Sequence, residues 1–306
     1  MLVLQQMLIF LGFILIGIFL RHKKWINPDN QYQLTAIVVN VTTPAMLLAP
    51  DLSASFKNDL SELYFCGLVL LITQLLLIGC GIIMSHLLRC SREERPAYNL
   101  MHVCTNVALI GIPLAGTVFG TKGMFYMSIF IIVNNVIFFA YGSWLLNSDG
   151  RFSVKSLKSS INPCVIASFL LLILFIAKIK LPYGISTFLH SLGNVSPPLS
   201  LMLIGASLYG VSIKLMLRDF RLMIFAFCKM IVLPILLLLL IKQFVSEREL
   251  LGACFVVVAT PSGVMTAMLI TLLKPKLLPL ATKGISLTSA MAVATMPLVS
   301  LVTGIT

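Results

Sequence analysis

Apolar residues run through this sequence in long blocks, with short polar connections between them. A helix needs about 20 apolar residues to cross the ~30 Å hydrocarbon core of a bilayer. The blocks therefore predict ten transmembrane helices, at 2–20, 32–50, 62–86, 97–119, 123–146, 162–178, 185–210, 219–242, 249–273 and 284–303. The gaps between them leave no room for a separate soluble domain.

Composition supports an integral membrane protein. Of the 306 residues, 59% are hydrophobic and 10% are charged, against roughly 45–50% and 25% in soluble domains. The net charge of +12 does not indicate nucleic-acid binding, because the basic residues form small groups at the segment ends. The seven cysteines show no metal-ligand spacing, and we expect neither a metal nor a cofactor.

The basic residues predict the orientation of the chain. Alternate connections, counted from the first, carry five groups of three, fifteen of the 22 basic residues: Arg21, Lys23, Lys24; Arg89, Arg92, Arg95; Arg151, Lys155, Lys158; Lys214, Arg218, Arg221; and Lys274, Lys276, Lys283. Cytoplasmic loops are enriched in Lys and Arg. We therefore expect these connections in the cytoplasm of the plasma (cytoplasmic) membrane, and both termini outside it.

The two halves of the chain resemble each other. Asn40-Val-Thr-Thr-Pro44 in the second segment matches Asn194-Val-Ser-Pro-Pro198 in the seventh. Gly/Pro-containing stretches follow Thr105-Asn106 in the fourth segment and begin at Thr260 in the ninth, 155 residues after Thr105. Gln74 and Lys229 are also 155 residues apart. The matches predict a five-helix repeat at 1–146, a short cytoplasmic linker at 147–161 and a second repeat at 162–306. Because five is odd, the second repeat must be inverted.

Inverted repeats whose matching segments are interrupted by Gly and Pro are typical of secondary transporters, with the substrate site near the midplane. Proline removes an amide donor from a helix. Freed amides and the positive ends of half-helices are suited to bind an anion. The interruptions could also be ordinary kinks, which are common in membrane helices.

No acidic residue is expected at midplane, because all ten lie in connections or at segment ends. Carboxylates that serve as proton relays or sodium ligands are therefore missing. This disfavours a sodium symporter and an aspartyl intramembrane protease. Walker, GxGxxG, HExxH and GxSxG motifs are also absent from the sequence, which argues against a pump and an enzyme.

Polar residues inside the segments are the candidates for substrate contact. Lys229 could supply a counter-charge to an anion, reach the interface by snorkelling, or pair with backbone carbonyls. Asn106 could contact substrate or cap a broken helix, and Ser262 is a weaker equivalent. Asn134 could contact substrate or form a hydrogen bond to another helix. For Asn40 and Asn194, substrate contact and a structural role are equally open. His102 and His190 are expected to be packing residues.

At these residues the chain resembles the auxin efflux carrier family, in its compact bacterial form. Asn106-Val-Ala-Leu-Ile-Gly-Ile-Pro-Leu114 is similar to the family's fourth-helix pattern, and Pro261-Ser-Gly-Val264 to its ninth-helix motif. The resemblance implies an all-α fold of two inverted five-helix repeats whose fourth and ninth helices are broken and cross. It also implies a substrate site at Asn106, Gly111, Pro113, Pro261, Ser262 and Gly263. The transported solute would carry a carboxylate, and an elevator movement is one mechanism by which it could cross.

The sequence thus predicts a secondary transporter of small organic anions. A uniporter or channel-like pathway driven by membrane potential is the alternative within transport, and a membrane sensor is a remote one. The expected partners are the carboxylate solute and the lipid bilayer, with homodimer formation left open.

Overall fold

A computed structural model describes residues 2–49, 60–147, 161–209 and 219–305. In the first half the helices are α1 (Leu2–His22), α2 (Pro28–Ile37), α3 (Thr43–Leu48), α4 (Leu60–Leu87), α5 (Arg95–Val103) and α6 (Ile112–Leu146). In the second half they are α7 (Pro163–Ile176), α8 (Tyr183–Gly193), α9 (Ser196–Leu208), α10 (Phe220–Phe227), α11 (Leu233–Ile241), α12 (Arg248–Ala259), α13 (Val264–Leu273) and α14 (Leu278–Thr303). The protein is all-helical over these ranges. Outside these ranges lie most of the predicted linker, with its basic group at 151–158, and two residues of the next basic group, Lys214 and Arg218.

Four helical stretches are long and apolar enough to cross a bilayer, and shorter apolar helices accompany them. The four are Leu63–Leu87, Val107–Leu146, Phe220–Ile241 and Pro275–Thr303. Large apolar side chains are exposed along these helices, for example Leu236, Leu239 and Leu240 of α11. Soluble proteins rarely expose such contiguous apolar surface, so the protein is a multi-pass membrane protein.

The stretch Val107–Leu146 is too long for a single crossing. Its 40 residues would reach about 60 Å at 1.5 Å per residue. Gly120 interrupts it with φ 64° and ψ −157°, a conformation open to glycine and strained for other residues. The predicted boundary between segments four and five, at 119–123, therefore falls at a one-residue break.

Three prolines are accommodated in the same way, by a π-turn that ends shortly before each. The turns are Val38–Thr42, Val107–Gly111 and Cys228–Val232, and the prolines Pro44, Pro113 and Pro234 follow two residues later. In each turn the residue before the proline donates its amide to a carbonyl five residues back. Since proline clashes with the carbonyl four residues back, the wider π-turn lets the helix continue.

The seventh segment is interrupted at its matched motif, where Asn194 and Val195 separate α8 from α9 ahead of Pro197 and Pro198. In the fourth segment the motif predicts an unwound stretch at 106–113, and this detail is wrong. The unwound stretch is Cys104–Asn106, and Gly111 and Pro113 are helical. The π-turn explains the difference, since it absorbs Pro113 without unwinding.

Small residues bring helices from the two halves of the chain into close contact. A Cβ on Gly17 of α1 would lie 1.9 Å from the Met202 carbonyl oxygen of α9, and one on Gly205 would lie 2.0 Å from that of Ile14. Gly193 packs on the backbone of Met46, and Thr43 Oγ1 lies 2.9 Å from Ser196 Oγ. The matched Asn-Val-(Ser/Thr) motifs therefore meet in space.

Candidate functional site

The interruptions of the fourth and ninth segments meet, as predicted. Cys104–Asn106 separates α5 from the second π-turn, and Thr260–Gly263 separates α12 from α13. Asn106 N donates to Pro261 O at 2.8 Å, and Gly263 N donates to Cys104 O at 2.7 Å. The two strands form an antiparallel bridge at Thr105 and Ser262. We call these two stretches the crossing.

Backbone geometry and space both require the residues found at the crossing. Cys104, Thr260 and Gly263 have extended backbones, with ψ of 108°, 148° and 145°. Pro261 has no amide to donate within a helix. A Cβ on Gly263 would lie 2.7 Å from Cys104 Sγ and 2.9 Å from Thr105 O. The glycine is needed here for close approach and not for an unusual φ.

The end of α5 is held by side chains from other segments. Helix C-termini leave carbonyls without intrahelical partners and carry partial negative charge. Four consecutive carbonyls accept one side-chain hydrogen bond each: Leu100 from Thr266 (3.2 Å), Met101 from Ser262 (2.7 Å), His102 from Lys229 (3.1 Å) and Val103 from Gln74 (3.3 Å). The crossing is thereby tied to α4, to the α10–α11 segment and to α13.

Lys229 takes one of its three anticipated roles in this arrangement, pairing with a backbone carbonyl. It lies in the π-turn Cys228–Val232 and is 1% exposed. Its ammonium donates to the carbonyl of His102 near the negative end of α5. Gln74, its counterpart in the sequence repeat, caps the next carbonyl and is also fully buried.

Several hydrogen-bond donors at the crossing, and at the start of the helical segments that follow it, have no partner in the described part of the chain. The first-turn amides of Ala108 and Leu109, and those of Val264 and Met265, find no acceptor within the described ranges. Asn106 stands at the cap position of its π-turn, but its side chain makes no capping bond. The buried hydroxyls of Thr105 and Thr260 have no partner there either. Of the two roles that the sequence left open for Asn106, capping of the broken helix is therefore not observed.

The model of the family described as membrane transport protein matches residues 2–156 and again residues 151–300. The chain belongs to this family, the auxin efflux carrier type of membrane transport protein. No curated protein matches it. The protein is thus a membrane transporter, which agrees with its exposed apolar helices.

The remaining residues predicted to bind substrate lie outside the crossing. Gly111 packs against Val256, with a Cβ placed 2.8 Å from Val256 Cγ1, and Pro113 is buried in the first turn of α6. Asn40 and Asn194 are exposed beside the Thr43–Ser196 contact. Asn134 is buried in α6, and its Oδ1 has no partner in the described part of the chain.

Sequence reasoning missed several residues at the crossing of the transporter. Thr266 caps Leu100, and Thr288 of α14 accepts the Ser262 amide at 3.2 Å. Both lie in apolar helices that contain other threonines as well, and no spacing distinguishes them from those. Thr105 and Thr260 could have been found, because they flank Asn106 and Pro261 in the motifs.

Proposed function

We propose that this membrane transporter carries small organic anions, carboxylates in particular, by alternating access. It binds them at the crossing. The observation that carries the proposal is the meeting of two helix N-termini whose amides have no partner. Such ends carry a partial positive charge and donors that point outward. With the Asn106 amide group they form a set of donors suited to a carboxylate.

The electrostatics of the surrounding residues favour an anion. None of the buried side chains in the described ranges is an Asp or Glu. The negative end of α5 is covered by the Lys229 ammonium. A carboxylate at the crossing would therefore meet positive helix ends without a competing negative group.

Contacts between matched motifs support the arrangement as two inverted five-helix repeats, residues 1–146 and 162–306. A two-fold axis brings residues on it into contact with their own equivalents. Asn106 bonds to Pro261, its equivalent 155 positions later. Thr43 contacts Ser196, which is the equivalent of its neighbour Thr42 in the matched motif. The first contact would lie on a pseudo-two-fold axis and the second close to it, as in transporters with inverted repeats. An elevator movement is the version of alternating access that we favour.

Potential-driven uniport is the second candidate, favoured by the lack of buried acidic groups noted above. The experiment that separates the two is uptake of a carboxylate panel into proteoliposomes under imposed pH, sodium and voltage gradients. Saturable uptake that responds to an ion gradient supports the coupled carrier. Saturable uptake that responds to voltage alone supports uniport, and failure of every carboxylate to be transported would contradict the proposed substrate class.

Asn106→Ala should reduce carboxylate transport by roughly tenfold or more, because a hydrogen bond to a charged group contributes about 1.5–3 kcal/mol. Its thermal stability should hardly change, since the Asn106 side chain makes no capping bond in the protein. Uptake and melting temperature of the purified variant test this. Asn135→Ala is the matched control, and here the melting temperature should fall while the uptake per folded protein is retained. Asn135 donates to Ile131 O and accepts from Asn162, so its loss removes structural hydrogen bonds. Normal uptake by Asn106→Ala would remove this residue from the site.

Orientation can be tested by thiol labelling, but not at the native Cys90 of the third connection. Cys90 is 3% exposed, and burial raises the pKa of its thiol, so the reactive thiolate is scarce. Arg92 and Gln243 are exposed, and Arg92→Cys and Gln243→Cys are better probes in a background without native cysteines. An impermeant maleimide applied to intact cells should label position 243 and spare position 92 until the cells are permeabilised. The reverse pattern would contradict the proposed orientation.

A further inference from the structure

His102 is a fully buried histidine beside the crossing. It lies in the last turn of α5 and is 1% exposed. Its ring packs edge-on against Phe225 at 6.0 Å, and its Cβ lies against Gly81 of α4, 3.2 Å from where a Cβ on that glycine would be. The ring nitrogen Nδ1 has no hydrogen-bonding partner among the described residues.

An unpaired ring nitrogen at this depth needs an explanation. Buried polar atoms are nearly always hydrogen-bonded, and leaving one unpaired is unfavourable. A phenylalanine or leucine could fill the same space without that penalty. Histidine differs from them in its ability to gain and lose a proton near neutral pH.

The charges around His102 make its protonation depend on an anion. Its own carbonyl holds the Lys229 ammonium, so an imidazolium would stand beside a cation without a counter-charge. Its own helix also carries Arg95 and Tyr98, and Cys104 and Cys228 lie in neighbouring turns. The helices packed against it carry the cations Lys122, Arg221 and Lys283, the histidine His86, the phenols Tyr64, Tyr126 and Tyr141, and the thiols Cys66 and Cys80. The acidic residue on these helices, Glu62, stands at the start of α4, 19 residues before the Gly81 on which His102 packs, so it supplies no counter-charge beside the ring. An anion at the crossing, which begins two residues further at Cys104, would supply the missing negative charge.

We infer that His102 is the proton-binding residue that couples transport to a pH gradient, so that one proton travels with each anion. This rests on the proposed anion site. On the loading side the free ring nitrogen accepts a proton as the anion binds, and the neutral imidazole becomes imidazolium. On the other side the proton and the anion leave, and the imidazole is restored. The residue replaces the buried carboxylate that is usual in such couplings.

The test uses purified protein in proteoliposomes, with labelled succinate and labelled pyruvate as probes. Counterflow, the exchange of labelled for unlabelled anion at equal pH on both sides, reports binding and movement without net proton transfer. Net uptake with an acidic exterior reports coupling, and a gradient of one pH unit should drive up to about a tenfold accumulation of a monovalent anion when one proton accompanies it. Lumenal pyranine follows the protons, and protein-free liposomes give the passive leak of the acids.

Wild-type protein should show counterflow, accumulation driven by the pH gradient, and acidification of the lumen in step with the anion. In His102→Gln and His102→Asn, the ratio of gradient-driven uptake to counterflow should fall to that of an uncoupled carrier. His190→Gln is the matched control, because His190 is exposed on α8, and it should behave as wild type.

Wild-type counterflow that is indifferent to the pH gradient would overturn the coupling and leave the proposed anion carrier intact. Undiminished coupling in both His102 variants would overturn the assignment to this residue. If the variants fail to fold, the pyranine signal of the wild type still decides whether protons move with the anion. Absence of counterflow with both probes would contradict the proposed function, and the coupling with it.

Discussion

Gly263→Ala should lower transport about a hundredfold, although the change adds a single methyl group. The added Cβ would lie 2.7 Å from Cys104 Sγ and 2.9 Å from Thr105 O. The second of these is a backbone atom, which cannot turn aside as a flexible side chain would. The two strands of the crossing must therefore separate, at a cost of about 1–3 kcal/mol from overpacking. Displacement of a site by about 1 Å can lower activity about a hundredfold, and Gly263→Leu should be more severe.

Gly79→Ala and Gly79→Leu are the matched controls for this prediction. Gly79 lies in α4, and a Cβ there would meet no atom within 4 Å. Because glycine is a poor helix former by up to about 1 kcal/mol, these changes should leave transport intact and raise the melting temperature slightly. Initial uptake rates and melting curves of the purified variants decide the matter. Near-normal uptake by Gly263→Ala would show that the crossing is not tightly packed in the working protein.

Lys229→Met should lower transport severely while the protein still folds. The change leaves the carbonyl of His102 without its donor, and an unsatisfied buried acceptor costs about 1–3 kcal/mol. The loss falls on the helix end that positions the crossing, so both uptake and melting temperature should drop. Lys229→Arg should retain part of the activity, since a guanidinium also donates but differs in shape.

Lys242→Met is the control with the same chemistry at a different place. Lys242 Nζ donates to Thr303 O at 3.0 Å, at the end of α14. That helix end is remote from the crossing in sequence and is partly exposed, so its loss should leave uptake close to wild type. Equal damage from both variants would mean that Lys229 acts only on overall stability. Full activity of Lys229→Met would exclude it from any role at the crossing.

The helical fold and the meeting of the fourth and ninth segments were predictable because they follow from strong local signals. Apolar length predicts membrane helices, and the Asn106 and Pro261-Ser-Gly263 motifs identify the two interruptions. Gly263 could also be selected in advance, since a close crossing needs a residue without Cβ. The position of the fourth-segment break was missed, because a sequence does not show that a π-turn accommodates Pro113.

The hydrogen bonds at the end of α5 were less predictable, for a physical reason. The repeat pattern drew attention to Gln74 and Lys229, but their shared task depends on two carbonyls of a third segment. Thr266 and Thr288 become important only through the packing of α13 and α14 against the crossing. His102 was expected to be a packing residue, and only its burial without a partner for Nδ1 raises the question of a further role.

The central claim, that a transported anion binds at the crossing, can be tested most directly at Ala108. This residue lies in the first turn after Asn106 and is partly exposed, and its amide has no partner in the described ranges. In a background without the seven native cysteines, Ala108→Cys is a small change that reports access to the site. The rate of its reaction with a charged methanethiosulfonate should fall in a saturable way with any carboxylate that the proteoliposomes transport, and the half-effect concentration should match the KM. An unchanged rate at concentrations that saturate transport would contradict binding at the crossing.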